Sequence, residues 1–99
     1  MIKTINYNQL YNFWGDKEWR KVTTIEGEEL HIKYVSSKES VKRIGSNAYF
    51  GEYQGSGILK IQVKEDGKKY VAEYGVEGDD KDDLDVTTTY FEFEEYKKQ

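Results

Sequence analysis

Apolar and polar residues alternate most strictly in the second half of the chain. Between Ile58 and Lys64, Leu59, Ile61 and Val63 fall on one side and Lys60 and Gln62 on the other, the period of a half-buried strand. Asp66-Gly67 follows, a dipeptide that favours a two-residue hairpin turn with positive φ at both positions. Folding about it predicts a partner strand Lys69–Val76, with Val63 opposite Tyr70, Ile61 opposite Ala72, Leu59 opposite Tyr74 and Lys60 opposite Glu73. Val86 to Tyr96 alternates again: Thr87, Thr89, Phe91 and Phe93 share one face, and Thr88, Tyr90, Glu92, Glu94 and Tyr96 the other.

The first half predicts shorter elements. Ile5, Leu10, Phe13 and Trp14 are spaced as an apolar stripe over Thr4–Trp14, which reads as a short helix capped by Thr4 or Asn6 and ended by Gly15. Glu18–Ile25 and Leu30–Val35 read as strands joined by a Glu26–Glu29 turn, and Ser36–Ser46 as a polar loop with a helical turn at Val41–Ile44. Ala48–Tyr53 reads as a strand, Gln54–Gly57 as a turn, Gly78–Asp85 as an acidic loop and Lys97–Gln99 as a frayed end. These elements predict one α+β domain spanning residues 1–99: a short N-terminal helix packed on a twisted antiparallel β-meander of about five to six strands. The expected core joins Leu30, Ile32, Leu59, Ile61, Val63, Tyr70, Phe91 and Phe93.

Composition changes the picture in two respects. Only 36% of residues are hydrophobic and 34% are charged, lean for a packed domain, but aromatic residues make up 15%. Each aromatic buries on the order of 150–250 Å², so a few of them build a small core. Charge is also divided. Met1–Tyr49 carries eight basic and six acidic residues, net +2; Phe50–Gln99 carries seven basic and thirteen acidic, net -6, giving -4 for the chain. Such asymmetry marks a surface turned toward a partner.

With no cysteine and only His31, a disulfide framework, a Cys-based zinc site, a thiol nucleophile and a histidine cluster are excluded. No apolar run approaches the roughly 18 residues of a membrane helix, and no apolar signal core follows Met1. The expectation is therefore a cytoplasmic protein without cofactor or metal, binding no membrane. Asp79, Asp80, Asp82, Asp83 and Asp85 suggest a cation site, but no EF-hand register supplies glycine at position six. His31 lacks an evident nucleophile partner. Gly55-Ser56-Gly57 lacks the lysine of a phosphate-binding loop. An enzyme is the poorest fit.

The remaining candidates are surfaces. Lys17, Arg20, Lys21, Lys33, Lys38, Lys42 and Arg43, with Trp14 and Trp19, suggest single-stranded nucleic-acid binding, diluted by six nearby carboxylates. Direct nucleic-acid binding is disfavoured by the net charge. Against this stands the acidic, aromatic face of the last strand, Tyr90, Glu92, Glu94 and Tyr96, beside Asp79, Asp80, Asp82, Asp83 and Asp85. Side chains two apart on a strand lie about 6.5–7 Å apart, comparable to phosphates along a nucleic-acid strand. The sequence thus predicts a small acidic inhibitor, a monomer or homodimer of phage or mobile-element anti-defence type, that occludes a nuclease or nucleic-acid-binding protein by nucleic-acid mimicry. The alternatives are an immunity protein for a toxic nuclease and a single-stranded nucleic-acid-binding protein.

Overall fold

The structure, a computed structural model, describes residues 2–46 and 51–96. It is nearly all β. Seven strands, β1 (Ile2–Asn6), β2 (Arg20–Thr23), β3 (Glu29–Ser46), β4 (Gly51–Val63), β5 (Lys69–Asp80), β6 (Asp83–Val86) and β7 (Tyr90–Glu95), form one antiparallel sheet. The order is β1-β7-β5-β4-β3-β2, with β6 on the distal half of the β5 edge that β7 occupies proximally. The sheet curls until its two ends meet: Ile25 N–H, at the β2–β3 turn, donates to Thr4 O of β1 at 2.9 Å. The result is a nearly closed, barrel-like body.

The N-terminal helix does not form. Ile2–Asn6 is a strand paired with β7, Ile2 opposite Glu94 and Ile5 opposite Phe91. A single 3-10 turn, Tyr7–Gln9, follows, capped by Asn6, whose Oδ1 accepts from Asn8 N–H at 2.9 Å. The chain then turns through Asn12 and Gly15, both at positive φ. The stripe residues Ile5, Leu10 and Phe13 are fully buried, so the apolar positions are genuine and the period is not. Asn and Tyr hold a helix weakly, and pairing with a strand more than eighty residues away overrides the local preference. Arg20 fastens the loop, donating to Tyr11 O at 2.9 Å and Asn12 O at 3.2 Å while its guanidinium lies over the Phe13 ring.

Three predicted breaks are also strand. Ser36–Ser46 continues β3, so the polar loop and its helical turn at Val41–Ile44 are absent. Gln54–Gly57 is the middle of β4 rather than a turn. Most of Gly78–Asp85 is the β5–β6 hairpin. The glycines that read as punctuation serve close packing. Gly57 lies opposite Tyr74, and a Cβ there would run into the Tyr74 ring; one on Gly55 would meet the β3 backbone at Ser40. β3, β4 and β5 stay paired along this distal stretch, and the molecule measures 51 × 30 × 23 Å. Of the predicted Ala48–Tyr53 strand, residues 51–53 lie in β4; residues 48–50, and the Lys97–Gln99 end, lie outside the described residues.

The hairpin about Asp66-Gly67 exists, but its register differs by two residues. Ile61 faces Tyr70, Leu59 faces Ala72 and Gly57 faces Tyr74, while Lys60 faces Val71 and Ile58 faces Glu73. The loop is four residues long: Gly67 N–H bonds to Val63 O and Val63 N–H to Lys68 O, each at 2.9 Å. Only Gly67 takes positive φ. Asp66 instead accepts from Lys68 N–H at 2.8 Å and from the Tyr70 hydroxyl at 2.5 Å. A two-residue slip preserves which side chains face inward, so every expected core residue is buried in one cluster, with Ile5, Leu10, Phe13, Val22, Ala72, Tyr74 and Val76 added.

Phe91→Ala should cost about 3–5 kcal/mol in chemical denaturation, because its fully buried ring stacks on Tyr7 and Tyr74. Gly57→Val should cost about 1–3 kcal/mol by overpacking against Tyr74, and Gly57→Val/Tyr74→Ala should lose less than the two single changes added together.

The Asp66–Tyr70 bond adds a pH dependence. Burial raises the Asp66 carboxyl, but the Tyr70 hydroxyl, the Lys68 N–H and the charges of Lys3 and Lys68 outweigh it and hold the group below its ordinary value. Burial, then the Asp66 contact, pushes the Tyr70 phenol well above the usual range. A depressed carboxylate stabilises the fold above its unfolded pKa, about 3.9, and that contribution is lost as pH falls through the folded value. A raised phenol stabilises below about 10 and loses its contribution as pH rises further. Tyr70→Phe should therefore move the Asp66 titration, followed by NMR, to higher pH.

Candidate acidic interface

Burying Phe91 and Phe93 turns Tyr90, Glu92 and Glu94 outward, because alternate residues of a strand occupy opposite faces. The same rule applied to β5, whose Tyr70, Ala72, Tyr74 and Val76 point inward, turns Val71, Glu73 and Glu77 outward. On β4 it turns Ile58 and Glu52 outward, and on β6 the Glu77–Asp85 and Val76–Val86 pairs place Asp85 with Glu77. One outer face therefore carries Glu52, Glu73, Glu77, Asp85, Glu92 and Glu94. None of these carboxylates makes an ion pair with another described residue.

Two concavities open on this face. Glu73, Glu92, Glu94 and Tyr90 line one of about 510 Å³, floored by Ile58, Val71 and Ala72. Tyr90 and Ile58 are each about half exposed, so the carboxylates surround apolar contact area. Asp79, Asp80, Asp83 and Asp85 line the other, about 550 Å³, with Glu52, Glu77, Ile44 and Tyr53. Gly78 is required beside it, because a side chain there would strike the β6 backbone at Asp83.

The expected site residues are thus divided between two hollows. Asp79 and Asp80 end β5, Asp83 and Asp85 belong to β6, and Asp80 faces Asp83 across the turn. Asp82 sits at the hairpin tip outside the hollow, its N–H donating to Asp80 Oδ1 at 3.0 Å. Among the described residues no group of three or more His, Asp or Glu side chains is arranged to hold a metal ion. Tyr96 stands apart from both hollows, its ring under the Lys60 ammonium at 4.0 Å. Glu52, Glu73 and Glu77 were missed. The signal for Glu73 and Glu77 was present in the alternation of β5 with the buried Tyr70–Val76 positions, whereas Glu52 needed the unbroken course of β4.

Both tryptophans, Arg20, Lys33 and His31 among the competing candidates are engaged in structural contacts. Trp14 packs edge-on against Tyr74 and Phe91, with its indole N–H buried and without a hydrogen-bond partner among the described residues. Trp19 is covered by Lys33 at 4.5 Å and Lys64 at 5.7 Å, and Arg20 is committed to the loop before it. His31 Nδ1 lies 2.8 Å from Glu65 Oε2, and the backbone N–H of His31 donates to Glu65 Oε1 at 2.8 Å. That contact holds the Glu65 carboxyl below its ordinary value. No helix among the described residues is long and apolar enough to cross a membrane. No protein-family model matches the chain, and comparison with curated proteins and with solved structures gives no match.

Proposed function

We propose that the chain is a small acidic inhibitor that acts in the cytoplasm, laying the outer face of β4–β7 into the basic groove of a nuclease or other nucleic-acid-binding protein. One observation carries this reading. Six carboxylates without an ion-pair partner among the described residues share one face of a single sheet, around exposed Tyr90 and Ile58. Adjacent strands run about 4.8 Å apart and alternate residues lie about 6.5–7 Å apart along a strand, so the sheet is a rigid surface that offers charge at intervals suited to a groove built for phosphates. The acidic field steers encounter, and the tyrosine and isoleucine supply area that excludes water once the surfaces meet. Inhibition follows from occlusion and requires no chemistry from this chain. An anti-defence inhibitor and an immunity protein would both use this surface, and they differ in the partner.

The test is affinity capture from host lysate with the protein as bait, compared with Glu73→Gln/Glu92→Gln/Glu94→Gln. The expected catch is a basic nucleic-acid-binding protein that elutes as salt rises, since the Debye length falls from about 10 Å at 0.1 M to about 3 Å at 1 M. The triple variant should keep its stability within about 0.5 kcal/mol per change while losing the catch. With the partner purified, carboxylates at the rim should lower the on-rate, and any buried against Arg or Lys should raise the off-rate at a cost of about 2–5 kcal/mol. Capture undiminished in the triple variant would refute the acidic face as the binding surface.

A further inference from the structure

β3 is eighteen residues long, yet β2 covers its outer edge only at Glu29–Ile32. Beyond that, the strand is hydrogen-bonded to β4 alone among the described residues. Two bulges, at Tyr34/Ser36 and Arg43/Gly45, bracket an uninterrupted ladder from Ser36 to Arg43. The Lys64 N–H to His31 O bond sets the alternation, and the first bulge shifts it by one. Ser36, Lys38, Ser40 and Lys42 therefore turn their backbone groups toward β4, and Ser37, Glu39, Val41 and Arg43 turn theirs toward the open edge. An open edge of this length is a template for another strand.

Within the uninterrupted ladder, an axis between Lys38 and Lys42 makes the edge complementary to itself in one register. Two copies joined edge to edge about a two-fold axis run antiparallel, and the axis must stand perpendicular to the sheet for the edges to meet. Facing residues then lie on the same side of the joined sheet, and the axis passes through a residue. At Lys38 or Lys42 it sets two lysines face to face; at Glu39, two glutamates; at Ser40, Lys38 against Lys42. At Val41 it sets Val41 against Val41, Ser40 against Lys42, and Glu39 against Arg43 twice. Among registers centred between Lys38 and Lys42, only this one has no like-charge opposition at its facing pairs from Lys38 to Ile44, and it alone makes two ion pairs; registers centred on Ser36 or Ser37 run through the Tyr34/Ser36 bulge. The residues it joins are those whose backbone groups are open: narrow pairs 39–43, 41–41 and 43–39 would exchange about six hydrogen bonds, two for each pair. Lys38 and Lys42, which defend the edge against other strands, face Ile44 and Ser40 here.

We infer that the Ser36–Arg43 edge of β3 is a homodimer interface, a second copy of this chain pairing antiparallel about Val41 to continue the sheet across two molecules. The acidic outer faces of both copies then lie on one side of the joined sheet, but the pairing stands independently of what that face binds. A single strand pair buries little surface, so the dimer forms in a concentration-dependent equilibrium.

Sedimentation velocity from micromolar to millimolar protein tests it. The wild-type chain should shift from monomer toward dimer across this range. Arg43→Glu sets two carboxylates opposite each other at both ends and should remain monomeric, as should Glu39→Arg. Glu39→Arg/Arg43→Glu restores both ion pairs with their signs exchanged and should dimerise again, an outcome that loss of folding cannot imitate. Val41→Pro removes an N–H that faces only the open edge, so it should abolish dimerisation while circular dichroism stays native. A folded wild-type chain that remains monomeric at millimolar concentration would overturn the inference, as would a dimer unaffected by Arg43→Glu and Val41→Pro.

Discussion

The pairing of the first strand with the last organises this molecule. β7 is held between β1 and the start of β5, and Phe91 and Phe93 are sealed inside by Ile5, Tyr7, Trp14 and Tyr74. Without β1 the last strand would be an edge with one side open to water. With it, the sheet curls far enough for β1 to bond to the β2–β3 turn, and Lys3 reaches Glu28 at 3.0 Å to fasten the seam. The interior is small, and among the described residues its five aromatic side chains supply the largest surfaces beside ten aliphatic ones.

That constraint also orients the acidic face. Once Phe91 and Phe93 are buried, the pleat leaves Glu92 and Glu94 no place but the outside, and the β5 ladder sets Glu94 directly across from Val71. Glu73 comes from a different strand, yet it reaches the same hollow because Tyr74 and Ala72 are anchored beneath it. The surface charge is thus placed by the core, on a rigid sheet rather than on a loop. A flexible acidic loop would have to be ordered on binding, at an entropic cost that this arrangement avoids.

How much of this was legible in the sequence depended on the range of the interaction involved. Inward and outward positions over Ile58–Val63 of β4, Lys69–Val76 of β5 and β7 follow from a period of two and were read correctly, so the expected core residues and the outward Glu92 and Glu94 were found. The turn chemistry at Asp66-Gly67 misled by two residues, because Asp66 is engaged by the Lys68 N–H and the Tyr70 hydroxyl and does not take positive φ itself. Residues 4–14 misled because Ile5, Leu10 and Phe13 are spaced like one helical face but are buried from a strand and the loop after it, and the deciding partner, β7, lies at the far end of the chain. Gly55, Gly57 and Gly78 resembled turn residues, yet each leaves room for a neighbouring strand or ring. Polar Ser36–Ser46 resembled a loop because a strand with no buried residue from Ser36 to Gly45 shows no hydrophobic alternation.

The central claim is that β1 and β7 are paired and thereby close the sheet. In an NMR spectrum of the uniformly labelled protein, cross-strand Hα–Hα contacts between Thr4 and Glu92 and between Asn6 and Tyr90 report on it directly, since both are wide, non-hydrogen-bonded pairs in which the Cα atoms approach to about 4.5 Å. The account predicts both contacts, with extended-chain chemical shifts over Ile2–Asn6. Helical contacts three residues apart through Thr4–Trp14, with no contact to residues 90–92, would contradict it.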